Sequence, residues 1–512
     1  MFLGDFTLEN RAPSAKTEIF FWRWDCHYGN RMLRRSPLAY LASNVISLIG
    51  VVLVTTAGIL WLLTIPAFWR GDAGGPYIGI LLFLILPGVF GAGLVLIPVG
   101  IALHIRKRRK AGDIGPILPQ GGELRRLAVF VGVTTMANLM MGSQFTYRAV
   151  TYMDSDKFCG QSCHTVMNPE YTAYSNSPHA RVACTECHIG PGASFFVKSK
   201  LSGAGQVFAV LFNTYPRPIP SPVQQLRPAR ETCEQCHWPQ RFAGEKFFVH
   251  TEYAPDEQNA ATTTVALMKI GGRNWAGTVG IHGAHVDAKA HMEYIATDQR
   301  RQVIPQVTYT DPAGKVTVYN TQDSPPKPED LARGEHRNMD CMDCHNRPTH
   351  IFQVPERALD LAMTQGSISP KLPFIKKQAL EVLKREYPDR AAAMRDISGA
   401  LEKFYQTNYP QTFAADSALL KTAIGTVQSI YERNIYPEMK ITWGTYPNNL
   451  GHTDFPGCFR CHDGNHTSAD GRSISNDCAT CHDLLAVSEK DPKILTELGM
   501  KSPQTGTEGA SK

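Results

Sequence analysis

The sequence predicts a membrane-anchored chain in two parts. Three N-terminal transmembrane helices come first, then a mostly α and irregular domain with a small β-rich insertion, organised around covalently held prosthetic groups. Three observations predict this. The long apolar runs all lie within the first 146 residues, and twelve of the thirteen cysteines lie beyond them in pairs, each pair followed at once by histidine. Between two groups of these pairs stands a stretch with none, patterned in places as strand.

The apolar runs are Leu38 to Phe68, Tyr77 to Leu103 and Leu127 to Phe145. The first two exceed, and the third approaches, the roughly 20 residues a helix needs to cross a bilayer. Flanking charge sets the orientation. Arg31, Arg34 and Arg35 precede the first run; Arg106, Lys107, Arg108, Arg109 and Lys110 follow the second; Arg125 and Arg126 precede the third. The loop between the first two carries only Arg70 and Asp72. Basic loops stay cytoplasmic, so segment 1–37 and the second loop are predicted inside and everything after the 38–146 anchor outside. That describes a multi-pass protein of the bacterial inner (cytoplasmic) membrane, in contact with membrane lipid, whose larger domain is periplasmic. The first run is too long for a signal-peptide core and lacks a small-residue cleavage site, so it reads as an uncleaved anchor.

The cysteine pairs are Cys159/Cys163 before His164, Cys184/Cys187 before His188, Cys233/Cys236 before His237, Cys341/Cys344 before His345, Cys458/Cys461 before His462 and Cys478/Cys481 before His482. Two thiols a short turn apart can add to the two haem vinyl groups, and the next histidine then reaches the iron. Zinc sites and dithiol redox pairs also use Cys-x-x-Cys, but neither requires histidine directly after the second cysteine, six times over. The first motif has three intervening residues where the others have two. Cys26, beside His27, is left without a partner. Six covalent haems c are therefore predicted, on the side of the membrane where such haems are attached. A chain carrying them moves electrons. The net charge of +6 is modest and no basic and aromatic stacking surface is apparent, which excludes nucleic acid as a partner.

Haems one to three fall in 147–240, a motif-free and partly β insertion in 241–335, haems four to six in 336–490, and a polar tail, predicted disordered, in 491–512. In the insertion, Val307-Thr-Tyr-Thr and Val316-Thr-Val-Tyr flank Asp311-Pro-Ala-Gly314, the pattern of a hairpin. Between haems four and five, Ala358 to Tyr431 reads as helical, with loops at Ser369-Pro370 and Tyr409-Pro410.

Low-spin electron-transfer haems need a second axial ligand, usually His or Met. Seventeen histidines, less the six proximal ones and the cytoplasmic-side His27 and His104, leave nine candidates. Position favours His179 and His336, each five residues before a motif, with His350, His452 and His466. His282 and His285, in the motif-free stretch, are available to a haem distant in sequence; His291 stands level with them and His250 is the weaker candidate. Met167, just after the first motif, is a candidate for that haem; packing is its other reading.

The stretch Phe158-Cys-Gly-Gln-Ser-Cys-His-Thr-Val-Met-Asn-Pro-Glu-Tyr, with Val182-Ala-Cys-Thr-Glu-Cys-His-Ile-Gly-Pro, resembles the NapC/NirT family of membrane-anchored multihaem cytochromes. Tyr436-Pro-Glu-Met-Lys-Ile-Thr-Trp-Gly-Thr-Tyr-Pro and Gly457-Cys-Phe-Arg-Cys-His-Asp-Gly-Asn-His resemble larger inner-membrane relatives in metal-respiring bacteria. The resemblance implies a quinol dehydrogenase that draws on the menaquinol or ubiquinol pool beside the first haem and feeds periplasmic cytochromes or other redox carriers. It implies Lys198 or Lys200 at the quinol site. Glu170, Asp154 and Asp156, beside the first motif, are the carboxylates available to take protons, against an ordinary role as solvated acids. Two alternatives stand beside this reading: a haem-bearing subunit docked to further membrane subunits of a respiratory or photosynthetic complex, and a terminal periplasmic reductase.

Overall fold

The computed structural model describes residues 44–69, 85–112 and, with short interruptions, 150–500, together with isolated positions between 136 and 148. Segment 1–37, most of the third apolar run and the tail beyond 500 lie outside the described residues. The chain divides into two units, Met1–Gln144 and Phe145–Lys512.

In the first unit α1 (Val45–Trp69) and α2 (Leu86–Lys110) pack antiparallel. Their contact is made by small residues. A Cβ placed on Gly50 would meet the Gly93 carbonyl oxygen at 2.8 Å, and one on Gly93 would meet Gly50 O at 2.8 Å, so only glycine lets the two backbones come this close. Polar side chains at the same seam bond to backbone: Asn44 Nδ2 donates to Gly100 O (2.7 Å) and Ser47 Oγ to Ile97 O (3.1 Å). Trp61 and Phe90 close the other end, with ring centroids 5.4 Å apart. Val45, Val52, Ile59 and Val95 face outward and exposed, the arrangement a lipid-facing pair needs. Against the sequence expectation of three spans, one helix among the described residues, Leu86–Lys107, is long and apolar enough to cross a membrane, while the apolar part of α1 is the shorter Val45–Trp61.

The second unit begins with α3 (His164–Ser175) and α4 (Ala193–Leu211). Two antiparallel sheets follow. One has the order β1 (Lys246–Tyr253), β2 (Ala261–Met268), β8 (His482–Glu489); the other runs β6 (Glu335–Asn338), β3 (His291–Ala296), β4 (Gln306–Thr310), β5 (Val316–Thr321), β7 (His466–Ser468). The anticipated hairpin is β4–β5, with Thr310 opposite Val316 and Gly314 at φ +84° in the turn. The sheets are not a closed insertion. Met268 pairs with His482 and Thr321 with His466, so strands from beyond the fifth and sixth motifs complete both.

A helical lobe stands beside the sheets: α5 (Pro355–Thr364), α6 (Ile375–Leu383), α7 (Arg390–Asn408), α8 (Pro410–Ala415) and α9 (Ser417–Asn434). Pro355 and Pro410 open their helices at the first turn, where a missing N–H costs nothing, and Asp389 caps α7 by accepting from Ala392 N (2.7 Å). Leu359, Ile368, Leu372, Ile375, Leu383, Ile397, Leu401, Tyr405 and Ile430 meet in one dry core. Asn259, in the β1–β2 turn, locks this lobe to the sheet by bonding Pro370 O (3.0 Å), Leu372 O (2.8 Å) and Lys376 N (3.0 Å).

Candidate haem-binding histidine pairs

The fully described motifs sit on short turns, and local bonds explain why for several of them. The N–H groups of His237, His345 and His462 close back on the carbonyls of Cys233 (2.8 Å), Cys341 (2.8 Å) and Cys458 (3.0 Å). Motif four is held by a capping box: Met342 N donates to Asp340 Oδ1 (2.8 Å) and Asp340 N to Asp343 Oδ2 (2.7 Å). Buried Asp343 also accepts from Tyr294 OH (2.6 Å) and Arg337 Nε (3.0 Å). Motif two hangs on Asp156, which accepts from Cys184 N (2.8 Å) and Tyr174 OH (3.1 Å). The thiols of Cys184, Cys187, Cys233, Cys236, Cys341, Cys344, Cys458, Cys461, Cys478 and Cys481 are unbridged, as thioether attachment requires. Cys163 lies outside the described residues; Cys159 is half-buried.

Five of the motif histidines have a second imidazole facing them. Ring centroids are 6.2 Å apart for His188 and His350, 5.9 Å for His237 and His179, 6.3 Å for His345 and His282, 5.8 Å for His462 and His285, and 6.2 Å for His482 and His452. A metal–imidazole bond is about 2 Å, so two imidazoles on opposite sides of one iron have centroids roughly 6 Å apart. The hydrogen bonds agree. Nδ1 of His179, His285, His350 and His462 bonds a carbonyl, of Pro348 (3.4 Å), Ile281 (2.8 Å), Glu170 (2.9 Å) and Ser475 (2.6 Å), which leaves Nε2 for a metal. His482 Nδ1 is buried with no hydrogen-bond partner among the described residues. Burial holds the pKa of His188, His285, His345 and His350 below the usual imidazole value, favouring the neutral ligand form. These residues fit covalent, bis-histidine haem.

The other candidates are placed differently. His466 is buried and has both ring nitrogens engaged, Nδ1 with Asp463 Oδ1 (2.9 Å) and Nε2 with Ile304 O (2.7 Å). Exposed His336 directs Nε2 to Leu331 O (3.2 Å). Arg357 and Glu252 hold His250, and His291 is exposed at the start of β3. Met167 packs against the small core of Val166, Phe352, Tyr436 and Met439; the His164 side chain is outside the described residues. Lys198 is exposed on α4, and nothing is described of the Lys200 side chain. Glu170 is ion-paired to Arg347 Nη2 (2.8 Å).

Successive motifs are neighbours. The Cys159 thiol bonds Cys184, pushing the latter's pKa up, and the Cys233 thiol bonds Cys341. Cys236 lies within electrostatic reach of Cys187, and Cys458 within reach of both Cys344 and Cys481. Burial, with the Cys458 charge behind it, pushes Cys344 up to about 11. Arg460, inside motif five, donates to Arg301 O and to Asp343 O inside motif four, both at 2.7 Å, bolting the two turns together.

Neighbouring cysteine motifs in ordered succession, five of them faced by a second histidine, define a multihaem c-type cytochrome that carries electrons. The model of the NapC/NirT cytochrome c family, N-terminal region, matches residues 123–218. The cytochrome c-type protein ImcH of Geobacter sulfurreducens is 40% identical over 461 residues, covering 89% of this chain and 90% of that protein. The cytochrome c-type protein NrfH of Wolinella succinogenes is 31% identical over 93 residues, 18% of this chain and 52% of its own length. The chain belongs to the NapC/NirT family of membrane-anchored cytochromes c. No solved structure matches it.

Proposed function

We propose that this protein is a hexahaem quinol dehydrogenase of the bacterial inner membrane, anchored by three spans, with its haem domain in the periplasm. The observation that carries the reading is the unbroken succession of neighbouring motifs from Cys159 to Cys481. Covalent haem c would supply a one-electron couple at each motif. His188 with His350, His237 with His179, His345 with His282, His462 with His285 and His482 with His452 are the ligand pairs; His164 serves the first haem, with Met167 as its candidate partner. Quinol gives up two electrons and two protons beside the first motif, and a periplasmic redox carrier takes the electrons. Lys198 and Lys200 are the groups proposed to bond the quinol oxygens and steady the charge left on proton loss. Their helix α4 supports this placement, because Leu201–Leu211 is an apolar run with Leu201, Phe208 and Leu211 exposed, suited to a membrane surface.

The test is reduction of the purified full chain by a menaquinol analogue without other subunits, beside a denaturing mass and a pyridine haemochrome assay. Six haems and complete reduction are expected, with Lys198→Ala or Lys200→Ala slowing quinol-driven reduction at least tenfold while dithionite still reduces every haem. A chain that dithionite reduces but quinol does not would assign the quinol site to another subunit.

A further inference from the structure

Glu170 is a candidate proton acceptor for quinol, and it also sits in a tight set of contacts with Arg347 and His350. Its side chain is 14% exposed and that of Arg347 6%. Arg347 Nη2 donates to both carboxylate oxygens, at 2.8 and 3.1 Å. The same guanidinium donates through Nε to the His350 carbonyl, through Nη1 to Ser221 Oγ (3.3 Å), and lies over the rings of Tyr446 (4.1 Å) and Phe352 (5.1 Å). His350 completes the loop: its Nδ1 donates to Glu170 O (2.9 Å), and Glu170 Oε2 lies 3.3 Å from the same nitrogen. His350 is thus gripped at its ring by Glu170 and at its backbone by Arg347. Elsewhere among the described ring pairs, the Nδ1 partners of His179, His285 and His462 are backbone carbonyls alone.

We infer that Glu170 and Arg347 are positioning residues that orient His350 and set the redox potential of the haem held by His188 and His350. The inference rests on the bis-histidine reading of that haem. A carboxylate beside Nδ1–H makes the imidazole a stronger donor through Nε2 and so favours the oxidised iron. The Arg347 charge offsets this. The two residues therefore act in opposite directions on one potential, which a merely structural role would not do.

The experiment is a spectroelectrochemical titration of the full haem-loaded chain, wild type and variant. His350→Met identifies the component by raising one midpoint. Glu170→Gln should move that same component upward and Arg347→Gln should move it downward, each changing its oxidised-to-reduced ratio about tenfold at fixed potential, or about 59 mV for one electron. The double variant, which leaves no buried charge unpaired, should return close to wild type and controls for misfolding. If His350→Met shifts no component, the ligand pairing itself fails. If it shifts one but Glu170→Gln and Arg347→Gln leave that component unmoved, or move it in the same direction, the pairing stands and this inference is overturned. Slower quinol-driven reduction in Glu170→Gln with unmoved potentials would also overturn it, and return Glu170 to the quinol site.

Discussion

The helical lobe of residues 355–434 and the motif-bearing turns fold by different means. In the lobe, Leu359, Ile375, Leu383, Leu401 and Ile430 are wholly buried against one another, and side chains alone make the core. Around motifs one to three the cluster is small, and Cys187 and Cys236 lie exposed. Gathered beside that cluster, among the described residues, are facing imidazoles and neighbouring thiols, the groups that would hold covalent haem. One region carries its core in its sequence; the other is completed by what it binds.

The comparison breaks most visibly on removing an attachment site. Cys341→Ser with Cys344→Ser should lower the denatured mass by one haem and open the turns joined to motif four through Arg460, while residues 355–434 persist as a protease-resistant fragment; equal cleavage of both regions would show that the lobe depends on haem. Leu401→Ala should destabilise the lobe by about 2–5 kcal/mol, read as a lower denaturation midpoint by far-UV dichroism, with an unchanged haem spectrum in the folded protein. His466→Leu sharpens the ligand assignment: it should leave every haem potential in place but cost about 1–3 kcal/mol through the unpaired Ile304 carbonyl, whereas His282→Met or His452→Met should raise one potential each.

The smallest expected effect is on the acid limb. The hydrogen bond from Arg301 holds the Glu335 carboxyl below its usual 4.5. A depressed carboxylate contributes stability that is present above 4.5 and lost as pH falls through the lower folded value. Glu335→Gln should therefore flatten melting temperature against pH over that window. The change should be slight, because the carboxylate side chain is 45% exposed.

Some of this architecture was legible in advance because its signals are local. The attachment motifs are contiguous, the β4–β5 hairpin is set by Asp311-Pro-Ala-Gly314 between alternating strands, and the lobe's helices follow from apolar periodicity. Which histidines face one another was not legible, and the offset argument shows why. His179 and His336 each precede a motif by five residues, yet His179 faces His237 of a different motif, and His336 bonds Leu331 O on an exposed strand. His466, four residues past His462, is turned into β7, and its imidazole goes to Ile304 instead. The ring facing His462 is His285, from a segment distant in the chain.

The sequence by itself determined the chemistry: paired cysteines followed by histidine state what is bound, and apolar runs flanked by arginine state that the chain is anchored. Tertiary structure alone decided the pairing. Imidazoles distant in the chain come within about 6 Å of one another, His350 of His188 and His282 of His345 among them, in a unit where β8 closes on β2 and β7 on β5 and where Glu170 bonds the ring of His350. Attachment needs neighbours along the chain, whereas axial ligation needs neighbours in space.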